Sequence, residues 1–238
     1  MFIYNSMIVK SQKPQFNYSK VCLELLGYLP ERQKTVVGNR FGLLGKDPQT
    51  LQEIGDYFGI TRERIRQIEK EALLQLAKYQ SKKDLQQIIA LFKEYLREQG
   101  GAKREDLALR DLSRQEDCQN QIYFLLVLAE PFYRTSENET VYSFWTTEEK
   151  IIDRFLPILE KTENLFKIEK KLLSQDDILL IVQDEPVEFV SSVLEIAKKI
   201  ERGPLGFFGL ANWSEIRPKG VKDMALLALK KQIWFLLL

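Results

Sequence analysis

The stretch from Thr50 to Leu76, TLQEIGDYFGITRERIRQIEKEALLQL, constrains this chain more than any other. Thr50 and Glu53 have the spacing of a capping box, which places the start of a helix there. Leu51, Ile54 and Phe58 then share one face. Gly59 stands where a helix end needs a left-handed residue, a conformation glycine adopts at least cost. Ile60 is placed to pack into the turn, and Thr61 to cap a second helix. At about 100° per residue, Ile65, Ile68, Ala72 and Leu76 gather on the inner side of that helix. Glu63, Arg66, Gln67 and Lys70 fall on the opposite side, with Arg62 and Arg64 at its flanks. The expectation is two helices joined by a tight turn, with Phe58 fully buried at the joint.

An outer face of Arg, Gln and Glu near a helix N-terminus suits major-groove reading. Arginine bridges two acceptors on guanine, glutamine bridges adenine, and glutamate accepts from cytosine. The second helix of a helix-turn-helix is used in this way. The plainer alternative is a solvated charged face on an ordinary helical hairpin, because exposed charge is the norm.

The blocks around this stretch are more specific. Leu29-Pro30-Glu31-Arg32, Arg40-Phe41-Gly42-Leu43, Thr50 to Gly55 and Thr61 to Glu69 follow one another in order. Together they resemble region 4 of bacterial primary-type sigma factors, over about Asn17 to Lys78. The resemblance implies a module that binds the −35 promoter element, a TTGACA-like hexamer in double-stranded DNA, and contacts the β flap of RNA polymerase core. It puts Arg62, Glu63 and Gln67 at base-reading positions and Arg64 and Arg66 near the backbone and groove wall. With Lys70 placed for phosphate and the cap residues Thr50 and Thr61, these form the candidate DNA-contact set. Two departures stand out: Gln33 replaces a frequent Glu, and Gly38 interrupts a normally leucine-rich helix at a cost of about 1 kcal/mol against Ala.

Charge is unevenly spread. Residues 1–80 hold 12 Lys and Arg against 8 Asp and Glu, a net +4, and residues 81–238 hold 23 against 26, a net −3. Phosphate contact is therefore expected at the front of the chain. There is no histidine, so imidazole zinc sites and histidine acid–base chemistry are excluded. Cys22 and Cys118 form no motif and fit a reduced, cytoplasmic chain. No apolar run reaches about 18 residues, so no membrane partner is expected. No P-loop, G-x-S-x-G or HExxH occurs, and no cofactor, small-molecule substrate or enzymatic activity is expected. Asp176, Asp177 and Glu185 lack the lysine that a nuclease metal site of D…ExK type requires.

The fold class expected is mainly α: a sigma region 4 helix-turn-helix followed by tandem winged-helix-like modules with small β-hairpins. Residues 1–16 form a leader and 17–80 the region 4-like domain. The latter holds a helix from Tyr18 to Tyr28, another from Pro30 to about Arg40, and a second motif helix running to about Tyr79. A first winged-helix-like module is placed at 84–146. It starts with an amphipathic helix from Asp84 to Gln99 and a short helix from Glu105 to Leu112. A third helix follows, capped by Ser113 and Glu116, and then a hairpin with its tip at 135–140. A second module is placed at 147–213. Thr146 and Glu149 would cap its first helix, ending near Lys161. Lys170 to Leu173 would belong to a short helix, Ile178 to Val182 to a helix or a strand, and a helix would run from Pro186 to Ile200. Pro204 to Trp213 would take the wing's place. Trp145-Thr146 and Trp213-Ser214, 68 residues apart, hint at an internal repeat.

The last segment, 214–238, with Asn212 to Asp223 and Leu226 to Lys231, resembles the linker and first helix of a HARE-type helix-turn-helix. Its apolar end, Ile233 to Leu238, suggests a C-terminus truncated or frame-shifted relative to a longer relative; the alternative is a tail that packs onto the second module. Nothing before Asn17 resembles region 2, the part of a sigma factor that melts promoters. A complete chain of this kind would not be expected to initiate transcription alone. The expected function is sequence-specific, sigma-type promoter binding; the alternative is a sigma-derived regulator or polymerase-binding adaptor.

Overall fold

A computed structural model describes residues 16–113, 117–182 and 185–236, with no account of the side chains beyond residue 229. The expected leader therefore lies almost wholly outside the described residues, as does Glu116. Among the described residues there are eleven α-helices and five three-residue strands, so the fold is mainly helical with small antiparallel pairings. The chain forms two compact units. One holds residues up to Ile88 together with 120–124, and the other holds 89–119 and everything from Leu125 onward.

The first unit is built on α1 (Tyr18–Leu26), α2 (Glu31–Arg40), α3 (Leu51–Phe58) and α4 (Arg62–Ala77), and α5 (Lys83–Glu98) begins in it. Val36, Ile54, Ile65 and Ile68 form a core from α2, α3 and α4, with Leu51, Phe58 and Ile60 packed at its edge. Burying side chains of this size contributes about 1.5–3 kcal/mol each. Phe58 is only partly buried, which corrects the expectation of a fully buried ring. Its face is covered instead by the Arg32 guanidinium, 5.6 Å from the ring centroid. Pro30 is the N-cap of α2 rather than its first helical residue. A Cβ at Gly38 would lie 2.5 Å from the exposed Leu44 side chain, which would have to shift to admit one. Phe41 meets Phe124 edge-on at 5.2 Å within the same unit.

The second unit continues through β1 (Ala102–Arg104), α6 (Glu105–Ser113), α7 (Gln119–Leu128), β2 (Tyr133–Thr135), β3 (Phe144–Thr146) and α8 (Ile151–Glu169). It ends with α9 (Gln175–Ile181), α10 (Val187–Ile196), β4 (Ile200–Arg202), β5 (Phe208–Leu210) and α11 (Val221–Leu236). The strands β1, β3 and β2 form one antiparallel sheet in that order, with Lys103 and Arg134 both opposite Trp145. β4 pairs with β5, and Leu173 bridges to Phe208. The order helix, strand, helix, helix, hairpin thus occurs twice, consistent with winged-helix modules. β1 and the Leu173 bridge were not anticipated, because three residues are too few for alternation to show.

Several boundaries differ from expectation. Ser113 closes α6, its hydroxyl donating to the Arg110 carbonyl, and α7 starts at Gln119. Thr146 is a buried strand residue whose hydroxyl donates to the Gly101 carbonyl and accepts from the Glu148 amide. It shapes a turn, and α8 starts at Ile151 and runs eight residues past Lys161. Residues 171–173 are not helical, and Ile178 lies in a helix started by a Ser174–Asp177 capping box. α10 stops at Ile196, leaving Ile200 to β4. Trp145 lies inside β3 while Trp213 lies three residues past β5, so the repeat is one of layout and not of the tryptophan pair.

The segments 84–146 and 147–213 share one core. Ala102, Val141 and Phe144 pack in the same cluster as Phe155, Phe189, Val193 and Phe208. Ser192 donates to the Ala102 carbonyl at 2.6 Å, and Lys103 pairs with Glu195 at 2.6 Å. Val141 bridges to Ala197. Tyr95 donates to Asp111, and burial first, then that bond, pushes its phenol far above the usual tyrosine range.

Truncating the core of the first unit should show this ranking. Ile65→Ala is expected to cost about 2–5 kcal/mol, and Phe58→Ala about 1–3 kcal/mol because its ring is half out of the core. All three tryptophans lie in the second unit or its tail. The measurement is therefore urea unfolding followed by far-ultraviolet circular dichroism. A Phe58→Ala loss larger than that of Ile65→Ala would contradict this packing.

Candidate nucleic-acid interface

The first unit presents α4 on a fixed turn. The Thr50 hydroxyl accepts from the Glu53 amide at 3.2 Å, and the Glu53 carboxylate accepts from the Thr50 amide at 2.7 Å. The Thr50 amide first, and then the Thr50 hydroxyl, both donating to the Glu53 carboxylate, hold it below the usual carboxylate range. Gly59 ends α3 at φ 65°, ψ 32°, in the left-handed region. Gly55 permits the close approach of the following loop, since a Cβ there would stand 2.8 Å from the Ile60 carbonyl oxygen. Thr61 then starts α4 by accepting from the Arg64 amide at 3.2 Å. Ile65, Ile68, Ala72 and Leu76 face inward and are buried.

Thr50, Thr61, Arg62, Glu63, Arg64, Arg66, Gln67 and Lys70 are all exposed. The six α4 residues among them form one continuous outward surface. Glu63, Arg66, Gln67 and Lys70 run along it at i, i+3, i+4 and i+7. Arg62 and Gln67 are five residues apart, about 7.5 Å along the axis, roughly two base-pair steps. Thr50 differs from the rest: its hydroxyl also donates to Glu53 at 2.8 Å, so both its functions serve the cap.

This surface is internally bonded. Arg66 donates to both Glu63 oxygens at 2.8 and 2.7 Å, which lowers the Glu63 carboxyl and raises the Arg66 guanidinium. Arg64 donates to the Gln67 side-chain oxygen at 3.0 Å. Such exposed helix pairs contribute about 0.2–0.5 kcal/mol each. A bidentate base contact discriminates by about 1–3 kcal/mol, so exchanging one for the other is favourable. No hydrogen bond or ion pair of Arg62 or Lys70 is seen among the described residues, although Arg62 helps to lower the Glu63 carboxyl.

Sequence reasoning missed the brace behind this surface. Arg40 of α2 donates to the Gln49 carbonyl at 3.0 Å and lies 3.5 Å from the half-buried Glu69 of α4. It ties α2 to the segment before α3 and to α4. Burial raises the Glu69 carboxyl, and Arg40 opposes the rise. The Arg40-Phe41-Gly42-Leu43 block held the only signal, without its partner.

The third helices of the two C-terminal repeats offer no comparable surface. α7, QNQIYFLLVL, and α10, VEFVSSVLEI, carry no Lys or Arg. Phe189, Val190, Ser192, Val193, Leu194 and Ile196 are all buried, which covers α10 on more than one side. Neither helix therefore offers a basic side chain for phosphate contact. Asp177 closes the cap of α9, and Glu185 pairs with Arg154 at 2.9 Å. Among the described residues no group of three acidic or cysteine side chains is placed to hold a metal ion. No described helix is long and apolar enough to cross a membrane.

A family model described as Sigma-70, region 4 matches residues 25–78. The matched segment contains α2, α3 and α4 and covers less than a quarter of the chain. This segment is thus similar to a sigma-type helix-turn-helix, a transcription-related domain that in general binds DNA and interacts with RNA polymerase.

Two outcomes test this site. Freeing Arg66 by Glu63→Gln should steepen the log–log salt dependence of duplex binding by about one, from roughly −3 to −4. An unchanged slope would show that Glu63 does not screen Arg66. The second concerns Glu69. Its raised value means that its contribution to stability is fully present below the ordinary glutamate value of 4.5 and is lost as pH rises through the folded one. Glu69→Gln should therefore flatten the dependence of Tm on pH above that point. An identical profile in wild type and variant would contradict the half-buried carboxylate.

Proposed function

We propose that this chain is a sequence-specific promoter-binding transcription protein whose α4 enters the major groove at a −35-like element. The observation that carries the reading is the exposed α4 surface on a segment that matches region 4. In this reading Arg62, Glu63 and Gln67 meet base edges. Arg64, Arg66 and Lys70 meet phosphate or groove wall, and the amides beside Thr61 face the backbone. The same domain engages RNA polymerase core, with the β flap as the proposed contact. The region 4-like domain, 17–80, is the DNA reader, and the modules at 84–146 and 147–213 form a second body. Segment 214–238 supplies a linker and the helix of a HARE-type motif.

A second reading is a sigma-derived regulator or polymerase-binding adaptor. The absence of Lys and Arg from α7 and α10 favours it, because neither helix offers a cation for groove contact.

Selection from random duplexes tests the first reading. Arg62→Ala and Gln67→Ala should each cost about 1–3 kcal/mol on the preferred site and relax one position. Lys70→Ala should weaken all duplexes about equally. If wild type enriches no sequence, base reading by α4 is wrong. Footprinting with and without core polymerase then separates the adaptor, which protects promoter DNA only when polymerase is present.

A further inference from the structure

We infer that residues 120–124, the first half of α7, are a working part of the DNA-reading domain, with Phe124 a positioning residue that acts through Phe41 and Arg40 on α4. The inference rests on the reading of α4 as the helix that meets DNA. These residues lie outside 17–80 and outside the matched segment 25–78, yet they belong to the first unit.

What they touch in that unit is the turn that follows α2. Phe41, the C-cap of α2, is buried, and its ring meets Phe124 edge-on at 5.2 Å and Tyr123 at 6.1 Å. Phe124 is itself fully buried. Asn120 approaches Gly42 so closely that a Cβ there would lie 2.7 Å from its side-chain nitrogen. The Gln121 carbonyl faces the Cys22 thiol of α1 at 3.8 Å. One stretch of α7 thus packs on α1 and on two successive residues of the turn. Edge-on aromatic pairs have a preferred geometry beyond simple area burial. Phe124 therefore fixes where the Phe41 ring, and the backbone that carries it, can lie.

The neighbour of Phe41 is Arg40. Arg40 donates to the Gln49 carbonyl, and the Gln49 amide donates to the Asn39 carbonyl at 2.9 Å. Those bonds close the α2–α3 connection one residue before the Thr50 cap. The same guanidinium lies 3.5 Å from Glu69, whose side chain is only 16% exposed. A carboxylate at that depth is costly without a cation. The other cation that it attracts is Arg66, three residues back on α4. While Arg40 holds Glu69, Arg66 stays bonded to Glu63 on the outer surface. If Phe41 shifts, Arg40 leaves Glu69, Arg66 turns toward it, and α4 loses a cation from the face that meets DNA. A space-filling role accounts for the burial of Phe124. It does not account for ring contacts gathered beside the brace.

The test compares wild type, Phe124→Leu, Arg40→Met and the double variant as full chains. Carbon-13 NMR of glutamate-labelled protein follows the Glu69 carboxyl, identified by its absence from Glu69→Gln. The charges that face it are Arg40 from α2 and Arg66 of α4. Loss of the Arg40 charge should let it titrate at higher pH in Phe124→Leu, as in Arg40→Met. Affinity for the duplex selected by wild type should fall by about threefold or more in each single variant, and the double variant should bind no more weakly than Arg40→Met. Should Phe124→Leu unfold, Phe41→Leu tests the same contact. A Glu69 titration unmoved by these changes would overturn the inference whatever happens to Tm. So would losses of affinity that multiply in the double variant, or a moved titration with unchanged duplex affinity. If wild type selects no duplex, the reading of α4 fails instead, and the titration, which needs no DNA, still decides whether Phe124 holds the brace.

Discussion

The burial of Ile54 against Ile65 and Ile68, under Val36, is the contact on which the candidate interface depends. It fixes the angle between α3 and α4, and with it which side of α4 faces solvent. Gly55 and Gly59 make the contact possible, one by admitting the loop and the other by turning it. Arg40 adds a polar tie from α2 through Gln49 and Glu69. The outward residues contribute little to this framework. Their bonds to one another are exposed and weak, so the surface can trade them for base edges and phosphates without loosening the fold.

The two-helix motif was legible because its signals are local and redundant. A capping box, a glycine at the helix end and a 3.6-residue apolar period all point to the same helices. Phe58 was misjudged because periodicity gives a face but not a depth; the ring sits at the edge of the core under Arg32. The contact at Gly38 was not foreseen because Leu44, whose side chain stands over it, is six residues away and outside any helical period. The Arg40–Glu69 brace was invisible for the same reason: its partners lie on different helices.

Legibility fell off in the second unit. Ser113 and Thr146 carry capping-box spacing yet serve other bonds, the first back to its own helix and the second to Gly101 across the sheet. The Ser174–Asp177 box that does start a helix went unread behind an apolar run that also suited a strand. Most consequential was the shared core. Sequence order suggested two successive modules, whereas Ser192, Glu195 and Ala197 of the second repeat bond to Ala102, Lys103 and Val141 of the first. That joining encloses α10, the helix that would read a groove in an independent winged helix. The N-terminal unit thus carries an exposed helix with four basic residues on its outer side, and residues 81–238 carry a net charge of −3.

Site-specific photocrosslinking most directly tests the assignment of DNA contact to α4. A photoreactive residue is placed at Gln67 on α4 or at Ser191 on α10, and the full chain is irradiated on a −35-like duplex. The account predicts crosslinks to the duplex from position 67, competed by excess of the same duplex, and none from position 191. Crosslinking from 191 with silence at 67 would contradict it, and would transfer DNA recognition to the C-terminal unit.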